Sequence, residues 1–105
     1  MDMAEAVYSL TRLLPKEESF AMTNQLRRAA ISVPSNIAEG FGRQSKREYL
    51  QFLSISYGSV CEIETQLTLC QRIGYLTEEN TKDAFQLLTE IGKIIQTIKK
   101  KLSDQ

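Results

Sequence analysis

The sequence predicts an all-α protein, an antiparallel up-down-up-down four-helix bundle in a single domain, residues 1–105. Apolar residues recur at alternating spacings of three and four in separate segments, the pattern of helices that each bury one face. The segments are joined by connections of about three to eight residues, which favour antiparallel neighbours. No segment shows the strict alternation of a β-strand, and no tandem repeat competes with this interpretation.

The composition is that of a folded domain with balanced charge. Hydrophobic residues make up 42% and charged residues 25% of the chain, which argues against disorder. The 13 basic and 13 acidic residues cancel, so any attraction to nucleic acid or membrane must come from uneven placement of charge. No apolar run reaches the roughly 18 residues of a membrane span, and no secretory signal is evident. We therefore expect a cytoplasmic protein without membrane contact.

The two cysteines agree with a reducing compartment. Cys61 and Cys70 fall in one predicted helix, and their spacing puts them about 13 Å apart along its axis. That separation is beyond the reach of a disulfide. Free, buried or half-buried thiols are what a cytoplasmic protein shows.

The first two helices are predicted on either side of a proline and a polar run. The first extends from Asp2 to Leu14 and is broken by Pro15. Thr23 is the expected N-cap of the second helix. The segment 40–44 contains two glycines without apolar periodicity, which predicts a turn.

A proline interrupts the second helix. Pro34 lacks an amide donor and its ring meets the carbonyl of Ala30, so the helix should kink or restart near Ser32. A polar stripe adjoins the apolar side of this helix. It is either solvated or paired with another helix or subunit, and it consists of Arg28, Ser32, Asn36 and Glu39.

The last two helices have clear caps. Ser45 and Glu48 have the form of a capping box, and a helix of roughly 28 residues follows, ending at Gly74. The apolar stripe of this helix is widened by Phe52, Ile55, Leu69 and Ile73. In its middle, Ser56, Gly58 and Ser59 are small, which favours close approach of another helix. Thr77 caps the fourth helix, which ends on three lysines.

The predicted topology separates the charges of the chain. One end of the bundle, here called the basic end, collects Arg43, Lys46, Arg47, Lys99, Lys100 and Lys101. The opposite end collects Glu17, Glu18, Glu78, Glu79 and Asp83. Helix macrodipoles account for acids at helix starts and for bases at helix ends, but positive charge in the first turn of the third helix is unfavourable. Lys46 and Arg47 therefore belong either to a phosphate contact or to an ordinary solvated turn.

The residues of a catalytic or metal centre are missing from the sequence. It has no histidine, and two distant cysteines cannot form a zinc site. Gly40-Phe41-Gly42 lacks the strand and the third glycine of a phosphate-binding loop. No cofactor, no metal and no enzymatic activity are predicted.

Several segments resemble a known family. The run QLRRAAISVPSNIAEG, followed by SKREYLQFL, GSVCEIETQL and RIGYL, closely resembles the four-helix-bundle family of the 23S rRNA intervening-sequence proteins. The similarity covers the chain from about Leu14 to Leu76. Its most specific part combines the Arg27-Arg28-Ala29 triplet with Pro34 and the run Asn36 to Gly40.

The resemblance implies a left-handed bacterial bundle that assembles as a ring, usually a homopentamer, without known enzymatic activity. Relatives include the accessory protein of diversity-generating retroelements, which binds nucleic acid and a reverse transcriptase. By this resemblance, helix packing or subunit contact is assigned to Arg27, Arg28, Pro34, Asn36, Glu39, Gly58 and Glu62.

Two functional hypotheses follow. In the first, a ring gathers the basic ends on one side and binds RNA or DNA backbone there, with an affinity that falls steeply with salt. In the second, the same ends contact a protein partner, and the protein is a scaffold or assembly adaptor that binds no nucleic acid. An enzyme built at subunit interfaces would need a pocket that the sequence does not reveal.

Overall fold

A computed structural model of the protein describes residues 1–104. It contains four α-helices, and no residue of this range lies in a strand, which confirms the all-α class. The helices are α1 Asp2–Thr11, α2 Met22–Phe41, α3 Lys46–Arg72 and α4 Glu78–Ser103, with a 3₁₀ turn at Lys16–Glu18. The molecule measures 46 × 24 × 19 Å.

One hydrophobic core unites the four helices. Each predicted apolar seam supplies buried side chains to it, and burying a leucine or isoleucine contributes about 1.5 to 3 kcal/mol. The fully buried members include Val7 of α1, Leu26 of α2, Leu53, Ile63 and Leu67 of α3, and Leu88 and Ile95 of α4.

The packing of α2 against α3 is the most extensive contact between helices. The Ser56 hydroxyl, wholly buried, donates to the carbonyl of Val33 at 2.8 Å. Ser32 and Ser59 share a hydrogen bond of 2.8 Å between their hydroxyls. Because later residues of α2 meet earlier residues of α3, these two helices run in opposite directions. The antiparallel order of the whole bundle and its left-handed twist stay predictions.

At Gly40, α2 and α3 approach each other closely. Gly40 lies in the last turn of α2, whereas the sequence predicted it in a turn, and it is buried. A Cβ atom at this position would lie 2.7 Å from the Cβ of Phe52 and 3.0 Å from Cδ1 of Tyr49. The neighbouring helix leaves no room for a side chain at this position. The position therefore requires glycine, although its backbone is helical.

The boundaries of α1 and α2 differ from the prediction. α1 ends at Thr11 rather than Leu14, and the next residues continue as a turn towards Pro15, before which helical backbone is disfavoured. Thr23 does not cap α2. The helix follows Ala21 instead, and the amide of Met22 is directed at the carboxylate of Glu18 at 3.4 Å.

The predicted restart of α2 near Ser32 is wrong, since one helix continues through Pro34. A proline inside a helix costs about 3 kcal/mol. Two side chains bond backbone carbonyls beside it and support this turn: Asn36 Nδ2 donates to the Ser32 carbonyl at 2.7 Å, and Ser56 donates to that of Val33. A kink at this point stays a prediction.

The caps of α3 and α4 are formed largely as predicted. Ser45 Oγ accepts from the amide of Glu48 at 3.0 Å, but Glu48 pairs with Arg43 and does not complete the box. Thr77 forms a full capping box with Asn80, with bonds of 3.0 and 2.9 Å. Gly74, with φ of 88°, ends α3 in the left-handed conformation that glycine tolerates best.

Replacing Gly40 tests the close approach of α2 and α3. We expect Gly40→Ala to destabilise the fold by about 1 to 3 kcal/mol, because the added methyl group displaces Phe52 and Tyr49. Gly42→Ala is the matched control, since its Cβ would lie 3.6 Å from the nearest carbonyl oxygens. Urea denaturation measures both variants. Equal stability of Gly40→Ala and the native protein would contradict the close approach.

A second test concerns Tyr75, whose hydroxyl donates to Glu18 Oε2 at 2.9 Å and ties the 3₁₀ turn to the segment after α3. This bond, followed by partial desolvation and the Glu18 charge, raises the pKa of Tyr75 above its ordinary 10.0. A pKa that is higher in the folded than in the unfolded chain stabilises the fold at any pH below the pKa of the unfolded chain. This stabilisation is lost as the pH rises through the pKa of the folded chain.

We therefore expect Tyr75→Phe to melt at a lower temperature than the native protein near neutral pH. The difference should shrink as pH rises above the ordinary pKa of tyrosine, about 10. Thermal melts across this range provide the measurement. Glu18→Gln serves as the control because it keeps an acceptor and removes the charge. A difference that does not change with pH would show that the bond is not formed.

Candidate functional surfaces

The basic end is built from the first turn of α3 and the last turns of α4. Gly92 of α4 lies beside α3, where a Cβ atom would be 3.5 Å from Cε1 of Tyr57, and Thr81 accepts a bond from Gln71 at 2.7 Å. Later residues of α4 thus meet earlier residues of α3, which brings the lysines near Lys46 and Arg47. Lys99 is half-buried, and the other five members are exposed: Arg43, Lys46, Arg47, Lys100 and Lys101.

Arg43 differs from the other cations of the basic end. Its guanidinium lies 3.5 Å from a carboxylate oxygen of Glu39 and 3.5 Å from one of Glu48, and it stands 5.1 Å from the centre of the Phe52 ring. Exposed pairs of this kind stabilise by at most about 1 kcal/mol. The larger effect of these two pairs is that the carboxylates compensate the positive charge of Arg43. Arg43 therefore contributes less positive potential to the basic end than the sequence alone suggests.

Arg27 connects α1 to α2 within the chain. Its Nε donates to Thr11 Oγ1 at 2.9 Å, and its guanidinium lies 5.0 Å from the centre of the Tyr8 ring. The Thr11 hydroxyl in turn donates to the carbonyl of Tyr8 at 2.6 Å. The half-buried arginine therefore packs inside one molecule.

A polar network crosses from α2 to α3. Asn36 Nδ2 donates to Ser32 Oγ at 2.8 Å as well as to the Ser32 carbonyl, and Ser32 bonds Ser59 of α3. The polar stripe of α2 is therefore paired with α3 at Ser32, and Asn36 bonds Ser32 within α2. Its remaining members differ: Glu39 binds Arg43, and Arg28 is exposed.

Arg28 and Glu62 lie in the same cleft between α2 and α3. The cleft has a volume of about 450 Å³ and is also lined by Gln25, Ser32 and Ser59. Within residues 1–104, neither Arg28 nor Glu62 forms a hydrogen bond or an ion pair. Two opposite charges on one surface are thus left to solvent.

A second cleft, of about 510 Å³, continues the first along α3. It shares Ser59 and Glu62 with the first cleft and is also lined by Ile55, Gly58 and Gln66. Gly58 faces open space, because no atom lies within 4 Å of a Cβ built on it. The expectation that Gly58 admits another helix is therefore not met by any helix of its own chain.

Gln66 carries an unsatisfied buried atom beside these clefts. The residue is 9% exposed, and its Nε2 donates to Gln25 Oε1 at 3.2 Å. Its own Oε1 is buried without a hydrogen-bond partner among the described residues. A buried acceptor without a donor costs about 1 to 3 kcal/mol.

Three aliphatic side chains expected to widen the buried stripe of α3 are exposed. Ile55, Leu69 and Ile73 are 49%, 45% and 51% exposed. They lie on the side of α3 that carries Gly58 and Glu62, since a helix turns by 3.6 residues. We call this surface the α2–α3 face. It consists of Arg28, Ile55, Gly58, Glu62, Leu69 and Ile73.

The spacing itself contained the signal for this face. Counted at 3.6 residues per turn, Ile55, Glu62 and Leu69 follow one line of the helix, and Leu53, Val60 and Leu67 follow another. Only the second line is buried. The first line contains a charged residue, Glu62, which indicates that this line, and not the second, is the one exposed to solvent.

The two cysteines do not form a disulfide with each other. Both are free, with Cys61 exposed and Cys70 buried, and burial together with the Glu18 charge raises the pKa of the Cys70 thiol. The described residues contain no group of three or more side chains of the His, Cys, Asp or Glu type that would hold a metal ion. Within the same range, no helix is long and apolar enough to span a bilayer.

Comparison with known proteins agrees with this architecture. The model of the family described as 23S rRNA-intervening sequence protein matches residues 1–97. Among curated proteins, none matches. A crystal structure of a protein of unknown function from the S23 ribosomal protein family of Bacteroides thetaiotaomicron is similar to this chain, with a TM-score of 0.86 and 29% identity. The alignment covers 94% of this chain and 93% of that one. This chain therefore belongs to the 23S rRNA-intervening sequence protein family.

Proposed function

We propose that the protein is a non-catalytic homo-oligomer, a pentameric ring, that binds the backbone of RNA or DNA through its basic end. The observation that carries the proposal is the exposure of Arg47, Lys100 and Lys101, with Lys46 beside them, at one end of a chain that has no net charge. Phosphate contacts made by lysine and arginine supply most of the affinity of such binding and require no particular base sequence.

A ring strengthens this surface. When all subunits point the same way, each adds its basic end to the same side, and the local potential grows although the net charge of every chain is zero. The acids of the opposite end, among them Glu78 and Glu79, are exposed and repel phosphate, which gives the ring one binding side.

The family name is compatible with an association with RNA. It refers to intervening sequences of 23S rRNA, and the similar crystal structure is placed in an S23 ribosomal protein family. Neither description assigns a reaction, and the described residues lack a cluster of metal-binding side chains. A non-catalytic binding role in the cytoplasm agrees with these two descriptions and with the lack of such a cluster.

The alternative is a protein scaffold without nucleic-acid binding. The exposure of Ile55, Leu69 and Ile73 favours it, since exposed aliphatic side chains on one side of a helix are more typical of protein contacts than of phosphate contacts. A scaffold would use the same ends for protein partners, and nucleic acid would not compete for them.

Charge reversal at the basic end distinguishes the two functions. We expect the native protein, freed of nucleic acid, to bind a labelled structured RNA or a DNA duplex with an affinity that falls as salt rises. In the variant Lys46→Glu, Arg47→Glu, binding should weaken, and the slope of log affinity against log salt should shrink by about 0.7 to 0.9 per lost phosphate contact. Fluorescence anisotropy across a salt series gives both quantities.

The matched control is Arg72→Glu, Lys82→Glu. It changes the net charge by the same amount at exposed positions near the other end of the bundle, so its binding should stay close to native. Equal loss in both variants would show that overall charge decides the binding. No binding of the native protein at low salt would overturn the nucleic-acid function and leave the scaffold.

A further inference from the structure

We propose that a groove between α2 and α4 binds an amphipathic helix of a partner protein. The groove lies where α1 begins, has a volume of about 350 Å³ and is here called the α2–α4 groove. Its lining side chains are apolar or aromatic, among them Met1, Pro34, Ile37, Phe41, Tyr49 and Ile91. The inference goes beyond the proposed function, since it depends neither on nucleic-acid binding nor on a homo-oligomer.

The groove continues the place that α1 occupies in the bundle. α1 packs against α2 and α4, whereas within residues 1–104 no Cα atom of α1 lies within 8 Å of one in α3, so α1 fills the corner opposite α3. It has only 10 residues, about 15 Å of helix, against 20 in α2 and 26 in α4. Beyond the start of α1 beside Pro34 and Ile91, α2 continues for about 10 Å to Phe41 and α4 for about 18 Å to Ser103. No helix of the described chain covers this part of the corner.

The apolar stripes of α2 and α4 extend into the uncovered part. On α2, Phe41 follows Ile37 by four residues, and on α4, Ile94 and Ile98 follow Ile91 at spacings of three and four. Phe41 is 76% exposed, Ile94 is 54% exposed and Ile98 is half-buried. Exposed apolar side chains around an apolar groove are typical of a binding site for another protein, with an aromatic residue as anchor.

A helix is the occupant that the groove suits, because the same two helices hold α1 between them in the adjoining part of the corner. Helices in such a position place side chains at spacings of three and four into the grooves of their neighbours. About ten residues of partner helix match the length of α4 that α1 leaves uncovered. A helix this short is marginal in water, so we expect the partner segment to become helical when it binds.

The charges at the two ends of the groove determine the direction of the partner helix. Lys101 follows Ile94 by seven residues, so it lies on the same side of α4, at the basic end. Asp2 and Glu90 line a smaller cleft of about 240 Å³ that adjoins the groove at Met1, and neither forms an ion pair among the described residues. Acids are favourable in the first turn of a helix and bases in its last turn. The partner helix should therefore begin with acids at the basic end and finish with bases beside Asp2 and Glu90.

Other ligands use only part of this arrangement. A fatty acid would fill the apolar floor and place its carboxylate near Lys101, but it has no cation for Asp2 and Glu90. A nucleic-acid backbone finds no cation among the residues that line the groove. An amphipathic helix with acids at its start and bases at its end matches the floor and both ends.

The test uses a labelled designed peptide of about 14 residues, with glutamates in the first turn, leucines at alternating spacings of three and four and lysines in the last turn. We expect saturable binding to the native full-length chain by fluorescence anisotropy, with a gain of helix in the circular dichroism of the peptide. A peptide with the two charged turns exchanged should bind more weakly, and Lys101→Glu should reduce the difference between the two peptides.

The decisive variant is Ile94→Lys. Its position is half exposed and four residues after Glu90, so the variant should keep native helix content. The charged side chain in the apolar groove should raise the dissociation constant of the peptide at least about tenfold. The matched control is Ile73→Lys, since Ile73 is 51% exposed, lies at the end of α3 beside Gly74 and is outside the groove.

Each outcome decides the matter. Binding that Ile94→Lys loses and Ile73→Lys keeps supports the proposal. It is overturned if the native protein does not bind the peptide, or binds equally well a peptide of the same composition whose leucines are spread around the helix.

Two further results would assign the groove to another occupant and also overturn the proposal. One is binding of laurate in the absence of peptide binding, which would make the groove an acyl site. The other is a native oligomer that Ile94→Lys dissociates, which would place a second copy there. The nucleic-acid function, tested at Lys46 and Arg47, is unaffected by any of these results.

Discussion

The contact between α2 and α3 determines where the α2–α3 face of this protein lies. At one end, the two helices approach so closely that only Gly40 fits between them. In the middle, the buried hydroxyl of Ser56 bonds the backbone of α2 beside Pro34, and Ser32 bonds Ser59. These small and polar groups hold two long helices side by side and support the proline turn. The outer sides of the pair form the clefts.

The other two helices complete the core and leave the α2–α3 face open. α1 packs against α2 and α4, and α4 packs against α3. Arg27 reinforces the first of these contacts through Thr11 and Tyr8. Since no helix of the chain covers the outer sides of α2 and α3, the arginine next to Arg27 is exposed. Two consecutive arginines thus differ: Arg27 packs within the chain, and Arg28 faces solvent.

Periodicity predicted the helices and most of the core, because burial follows the 3.6-residue turn wherever one side of a helix is apolar. It was wrong for Ile55, Leu69 and Ile73, since the hydrophobicity of a side chain alone does not tell whether it is buried or exposed. Gly40 was misplaced for a related reason, as a glycine in a sequence looks the same in a turn and at a helix crossing. Topology located the basic end, but the ion pairs that compensate Arg43 depend on distances that no sequence pattern reports.

The proposed homo-oligomer is tested most directly by the sedimentation of the native protein over a range of concentrations. The account predicts a species several times heavier than the single chain of 11.9 kDa, and a single chain at all concentrations would contradict it.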